Sequence, residues 1–268
     1  VGLLDATDLS IGIGVGGPLL EGARASGRAA ATQALRGLPP PPKNRSRALL
    51  LWCDALSGLA TEVVRGAVES AGAGVAWAGG GTGVVRPGTR AMQFANGLVY
   101  EGASVAVAID FPRRAGTGIH HGWQPYGPPM MITRARGTVA LELDYLPAFE
   151  AYRQVAHEHG ETLTPETFSA FATAHPLGIP QATGEHLIRD PNGLAPDGSI
   201  RCLAEIPDGA LIRVMQGDGP ALIAAAGIAA SAARADTAAP LAGAFIFDCI
   251  SRYFVLGEAV EVDQREVL

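Results

Sequence analysis

The stretch that decides the reading is Gly116–Tyr152, GTGIHHGWQPYGPPMMITRARGTVALELDYLPAFEAY, which changes character three times in a short run. It opens as a glycine-rich segment carrying His120, His121 and Trp123, breaks at Gly127-Pro128-Pro129, and continues as alternating apolar and polar residues. Met131, Thr133 and Ala135, then Val139, Leu141 and Leu143, carry the period-2 signature of paired strands. Arg136-Gly137 predicts the turn between them, because glycine supplies the positive φ a tight hairpin needs. Asp144 reads as the N-cap of a helix, with Pro147 tolerated in its first turn and Phe149, Tyr152, Val155 and Ala156 as its apolar stripe.

Outward from this centre, the N-terminal side alternates Ile11, Ile13 and Val15 with Gly12, Gly14 and Gly16. That pattern predicts a strand with one branched face and one bare face, which something approaches closely. Gly17-Pro18 starts an alanine-rich helix to about Arg36, closed by Gly37 and the linker PPPPKNRS. Arg47 to Trp52 reads as a continuous apolar strand ending at Cys53 and Asp54, followed by a second helix from Gly58 to about Ala71. A short strand, Gly74 to Trp77, then empties into a glycine loop from Gly79 to Gly83, and residues 91–110 form a hairpin around Asn96-Gly97.

On the C-terminal side, Thr164-Pro165-Glu166 predicts a helix start and His175-Pro176 its stop, before short strands separated by turn residues over 184–215. The opening order then returns. Leu211 to Gln216 is a strand, GDGP replaces GGP, an alanine-rich helix runs to Arg234, TAAPLAG is a linker, and Ala244 to Asp248 is a second apolar strand. The expectation is a mixed α/β protein of two related lobes, β-sheets flanked by helices, from an internal duplication. The domains would be residues 1–115 and 116–268, the second lobe incomplete at its C-terminus because the first copy continues further.

With 268 residues, 48% of them hydrophobic and 17% charged, the chain can bury two ordinary cores. A net charge of −6 without a basic stripe argues against nucleic acid as a partner. The longest apolar run, Ala221 to Ala233, is too short to span a bilayer, so no membrane insertion is expected. No basic segment followed by an apolar core opens the chain, and Cys53, Cys202 and Cys249 are odd in number and far apart. These features predict no signal peptide, no disulfide framework and a reducing, cytoplasmic setting.

Three motifs could carry chemistry. Gly12, Gly14 and Gly17 fit G-x-G-x-x-G, but the glycines lie inside the strand and Asp54 comes too late for a ribose acid, so close packing is the alternative to nucleotide binding. His120-His121 and His157-x-His159 could be metal pairs, yet neighbours in a strand point to opposite faces, which leaves one ring inward and one in water. No metal and no cofactor is expected. Cys249, near Arg252, could be a low-pKa nucleophile or an inert core thiol, and no base is identifiable.

Several pieces, taken in order, resemble the FIST sensory proteins of bacteria: AWAGGGTG, FANGLVYEGASVAVAI, HGWQPYGPPMMITRARGTVALELDYLPAFEAY, HPLGIP and FIFDCISRYFVLG. The resemblance implies an intracellular sensory module for small ligands, amino acids among them, that works beside signalling output domains and has no catalytic residues to carry over. The ligand pocket is then expected where the glycine-bearing strand ends converge, near Trp52, Asp54, Gly79, Gly80, Gly81, His121, Trp123, Cys249 and Arg252. Arg252 would pair a ligand carboxylate and the tryptophans would form an apolar wall. The competing readings are a cysteine enzyme using Cys249 and a partner-binding scaffold.

Overall fold

The computed structural model describes residues 9–38, 46–72, 74–84, 90–112, 115–234, 241, 243–261, 265 and 267. Most of the two expected linkers, at 39–45 and 235–240, lies outside these residues. The chain divides into two compact units, Val1–Ile119 with Ala229–Phe247, and His120–Ile228 with Asp248–Leu268.

In the first unit the elements are β1 (Ser10–Gly16), α1 (Leu19–Leu35), β2 (Ser46–Asp54), α2 (Ala60–Ala71), β3 (Val75–Thr82), β4 (Met92–Ala95), β5 (Leu98–Glu101) and β6 (Ser104–Phe111). One sheet has the order β1-β6-β2-β3, with β2 and β3 parallel and the other pairs antiparallel. β4 and β5 form the expected hairpin, turning at Asn96 and Gly97, both with positive φ.

The bare face of β1 meets α1. A Cβ on Gly12, Gly14 or Gly16 would overlap the carbonyl oxygen of Ala34, Ala30 or Ser26, successive turns of that helix. The glycines therefore serve packing, and the helix backbone fills the space a pyrophosphate would need. α1 and α2 cross as closely, since a Cβ on Gly27 would overlap the Val63 carbonyl and one on Gly66 the Arg24 carbonyl. Small side chains allow this approach, and Leu19, Ala30, Ala31, Ala34, Leu49, Leu51, Val63 and Ala106 close the core around it.

Two expectations change here. The run from Arg47 is not wholly apolar inside: Arg47 is buried and grips Asp110 on β6 with two hydrogen bonds, Nε to Oδ1 at 2.6 Å and Nη2 to Oδ2 at 2.7 Å. Burial of such a pair is tolerated because the fork geometry satisfies both carboxylate oxygens. The glycines from Gly79 to Gly81 are strand, not loop, because β2 pairs with them in register, Leu51 with Gly79, Trp52 with Gly80 and Cys53 with Gly81.

The second unit contains β7 (Gln124–Pro125), β8 (Met130–Arg136), β9 (Val139–Leu143), β10 (Leu146–Pro147), α3 (Ala148–Glu158), α4 (Phe168–Ala174), β11 (Leu177–Pro180), β12 (His186–Arg189), β13 (Pro191–Leu194), β14 (Ile200–Cys202), β15 (Leu211–Gln216) and α6 (Ile250–Leu256). Helix α5 (Gly219–Arg234) begins in this unit, and its residues from Ala229 belong to the first. The antiparallel sheet runs β12-β11-β15-β8-β9-β14-β13, with β10 on β9 and β7 on β15. Its core joins Ile132, Leu143, Leu177, Ile200 and Ile212 to the α3 stripe of Ala148, Tyr152, Val155 and Ala156.

The hairpin of β8 and β9 turns at Gly137, as predicted, but its inward phase differs. Met130 and Ile132 are buried while Met131 is 44% exposed. Register shifts between Ile132 and Ala135 break the alternation that a flat strand would keep. Asp144 does not cap α3. It adopts a positive φ in the turn before β10, where its Oδ1 accepts the Met131 N–H at 2.7 Å, and α3 starts after Pro147. Likewise α4 begins at Phe168, after a turn over the Thr164-Pro165-Glu166 signal.

The expected strand from Ala244 to Asp248 is not formed, and Phe245 and Ile246 are 48% and 55% exposed. A strand needs a neighbour for its backbone, and among the described residues none pairs with it. The predicted counterpart of β2 is thus missing from the described second half, and a matching duplicated β-α-β unit is not seen there.

Candidate ligand site

The C-terminal ends of β2 and β3 bring together five of the residues singled out in the sequence. Trp52 stands opposite Gly80, flanked by Gly79 and Gly81, and Asp54 lies two residues further along β2, on the same face as Trp52. The end of a parallel strand pair is where open α/β sheets place ligands. The three glycines are not equivalent. A Cβ on Gly79 would overlap the Leu51 carbonyl and one on Gly81 would overlap Ala55, but one on Gly80 would meet only Phe247 Cδ1, at 3.6 Å.

Phe247 also faces Trp52, with ring centroids 5.7 Å apart and planes tilted by 46°. The result is an apolar wall of two rings beside a bare stretch of strand. Phe247 was not among the expected residues, although the apolar run that contains it was the available signal. Asp54 closes the β2 end through its own side chain: Oδ1 accepts the Leu56 N–H at 2.8 Å and its carbonyl accepts the Ser57 hydroxyl at 2.7 Å, holding a short 3-10 turn over Ala55–Ser57.

The other four expected residues, His121, Trp123, Cys249 and Arg252, lie in the second unit. Arg252 is 6% exposed and its guanidinium serves the protein: Nε donates to Asp248 Oδ1 at 3.0 Å, Nη1 to the His121 carbonyl at 3.2 Å and Nη2 to the Leu222 carbonyl at 3.0 Å. It ties α5, α6 and the His121 segment to one another. Trp123 is buried against the backbone of Gly217, where a Cβ would overlap its ring, within a cluster of Met215, Leu222 and Leu256.

The adjacent histidines do not diverge, because residues 115–123 are not a strand. Their rings lie parallel within 7°, centroids 5.9 Å apart, and both address Glu185: His120 Nδ1 lies 2.8 Å from Oε1 and His121 Nε2 lies 3.2 Å from Oε2. Among the described residues no group of three or more histidines, cysteines or acids is arranged to hold a metal ion. His159 of the other motif caps its own helix, Nδ1 against the Val155 carbonyl at 2.9 Å, with its ring stacked on Tyr126.

Cys249 is an exposed residue whose thiol is nonetheless pushed up, first by burial of the sulfur and then by the nearby Asp190 carboxylate. Asp190 is itself raised by burial and accepts the Ser251 hydroxyl at 2.9 Å. A nucleophilic thiolate needs the opposite shift. Cys53 and Cys202 are buried, with thiols pushed up to about 11 and about 12 by burial. Two shallow concavities lie along α1, and neither is lined by an expected site residue.

An α/β unit with an aromatic wall at the end of a parallel strand pair, joined in one chain to an antiparallel α/β unit, defines a two-unit α/β protein. The model of the FIST N domain matches residues 1–145 and that of the FIST C domain matches residues 148–267. The chain belongs to the FIST family, whose domains are taken to be sensory domains of signal transduction. No curated protein and no solved structure matches it. Among the described residues, no helix is long and apolar enough to cross a membrane.

Proposed function

We propose that this chain is a cytoplasmic sensory domain that binds a small metabolite of the amino-acid class and passes the bound state to an output protein. The ligand's apolar part lies against Trp52 and Phe247 over Gly80, and its ammonium group is met by Asp54, whose second carboxylate oxygen is not needed for the Leu56 cap. The observation that supports this most is the bare backbone at Gly80, faced by a single aromatic ring within reach of its absent side chain. Apolar walls with a few convergent polar groups are what small-ligand sites require. The cysteine-enzyme reading loses ground to it because the Cys249 thiol is shifted away from the reactive form.

A thermal-shift screen against amino acids and simple amines tests the proposal. A ligand at about 100 times its Kd adds about 2.7 kcal/mol, which raises Tm by roughly 5 to 10 °C for a chain of this size. A selective shift that disappears in Trp52→Ala supports both the class and the site. A shift that survives Trp52→Ala overturns the site, and no shift from any amine or amino acid overturns the ligand class.

A further inference from the structure

His121 is a node of three contacts within the second unit. Its ring Nδ1 accepts the main-chain N–H of Trp123 at 2.9 Å, its carbonyl accepts Arg252 Nη1, and its Nε2 lies beside the Glu185 carboxylate. An N–H can be donated only to an unprotonated nitrogen, so the ring is neutral here, with its proton on Nε2. A second proton has to go to Nδ1. It would convert the acceptor into a donor aimed at another donor, and the turn that seats Trp123 against Gly217 would lose its closing bond.

The charged and titratable groups around the ring come from three elements. Glu185 and His186 lie at the start of β12, His120 precedes His121 in the chain, and Arg252 of α6, held by Asp248, reaches the His121 carbonyl rather than the ring. The Nε2 atoms of His121 and His186 are both buried without a hydrogen bond, so a charge added to the His121 ring is desolvated and is offset chiefly by the Glu185 carboxylate, 3.2 Å from Nε2.

We infer that His121 is an acid-released latch on Trp123: protonation at Nδ1 frees the Trp123 main chain and loosens the indole from the cluster of Met215, Leu222 and Leu256. Burial lowers the His121 pKa from its ordinary value and is the largest influence; Glu185 opposes it, and His120 adds to it. A histidine depressed in the folded state contributes stability that is complete above the unfolded value of about 6.5 and is lost as pH falls toward the folded value. The latch therefore opens on the acid side of 6.5.

The test is a pH titration of the full chain selectively labelled with 15N-tryptophan, the Trp123 amide being assigned by its loss in Trp123→Phe. The Trp123 amide resonance is expected to titrate with a midpoint below about 6.5 while far-UV circular dichroism stays constant. In His121→Asn, whose side-chain oxygen can still accept the N–H but does not titrate, that transition should vanish. Should His121→Asn fail to fold, Glu185→Gln still decides, since removing the carboxylate must move the midpoint to lower pH. An unchanged midpoint in either variant, or a Trp123 amide that stays flat until the fold is lost, overturns the latch.

Discussion

β1 and β3 are both glycine-rich edge strands of one sheet, yet their glycines do opposite things. Every glycine of β1 faces a helix backbone so close that even a methyl group has no room, with Gly12, Gly14 and Gly16 meeting the carbonyls of Ala34, Ala30 and Ser26. On β3 all three glycines are exposed, yet the crowding falls away in the middle: a Cβ on Gly79 or Gly81 is blocked by Leu51 or Ala55, whereas one on Gly80 has only Phe247 nearby. Bareness alone does not mark a binding surface. What separates the two strands is whether the absent side chain's space is occupied by the protein itself.

The comparison breaks first at Gly14. Gly14→Ala forces a methyl group into the Ala30 carbonyl, and backbone cannot yield as a flexible side chain would, so about 3 kcal/mol or more of stability should be lost. Urea unfolding of this variant beside the wild type measures it. A loss below about 1 kcal/mol would mean that α1 does not sit on β1 as described, and the contrast with β3 would dissolve.

Gly81→Ala gives a smaller, more local effect. Its methyl group overlaps Ala55 Cβ, in the turn that Asp54 caps, so that turn must shift by a fraction of an ångström at about 1 to 2 kcal/mol. Because the turn fixes Asp54, ligand affinity should fall as well. Lost stability with unchanged affinity would remove Asp54 from the site and leave the aromatic wall standing alone.

The contrast between the two strands was half legible in the sequence. Close packing on the bare face of β1 follows from a glycine alternation running straight into an alanine-rich helix, a relation between neighbours in the chain. Local rules also placed α1, α2, the Asn96-Gly97 and Gly137 turns and the apolar stripe of α3. From Gly79 the sequence of β3 predicts a loop, because glycine opposes strands, and only the pairing with β2 overrides that preference. The same non-local dependence hid the rest. Arg47 meets Asp110 across a separation of 63 residues, and Arg252 donates to a carbonyl 131 residues away, so neither could be assigned a partner by spacing. Glu185, which brings His120 and His121 to one carboxylate, stands far outside any motif that contains them. Phe247 was legible as apolar but not as the wall of a site, since its strand was expected to be paired.

Gly80→Ala should produce the smallest change in stability and is the most informative variant for the site. Its methyl group would rest 3.6 Å from Phe247 Cδ1, ordinary contact, so stability should stay within about 0.5 kcal/mol of wild type. The same methyl group occupies the surface against which the ligand is proposed to lie. Affinity for whichever amine or amino acid shifts the wild type should therefore drop while the urea midpoint holds, a separation that Gly14→Ala, which acts through the fold, cannot produce. If binding by calorimetry were untouched in Gly80→Ala and lost in Trp52→Ala, the ligand would lie on the indole away from the strand. Phe247 and Trp52, rather than the bare backbone, would then define the site.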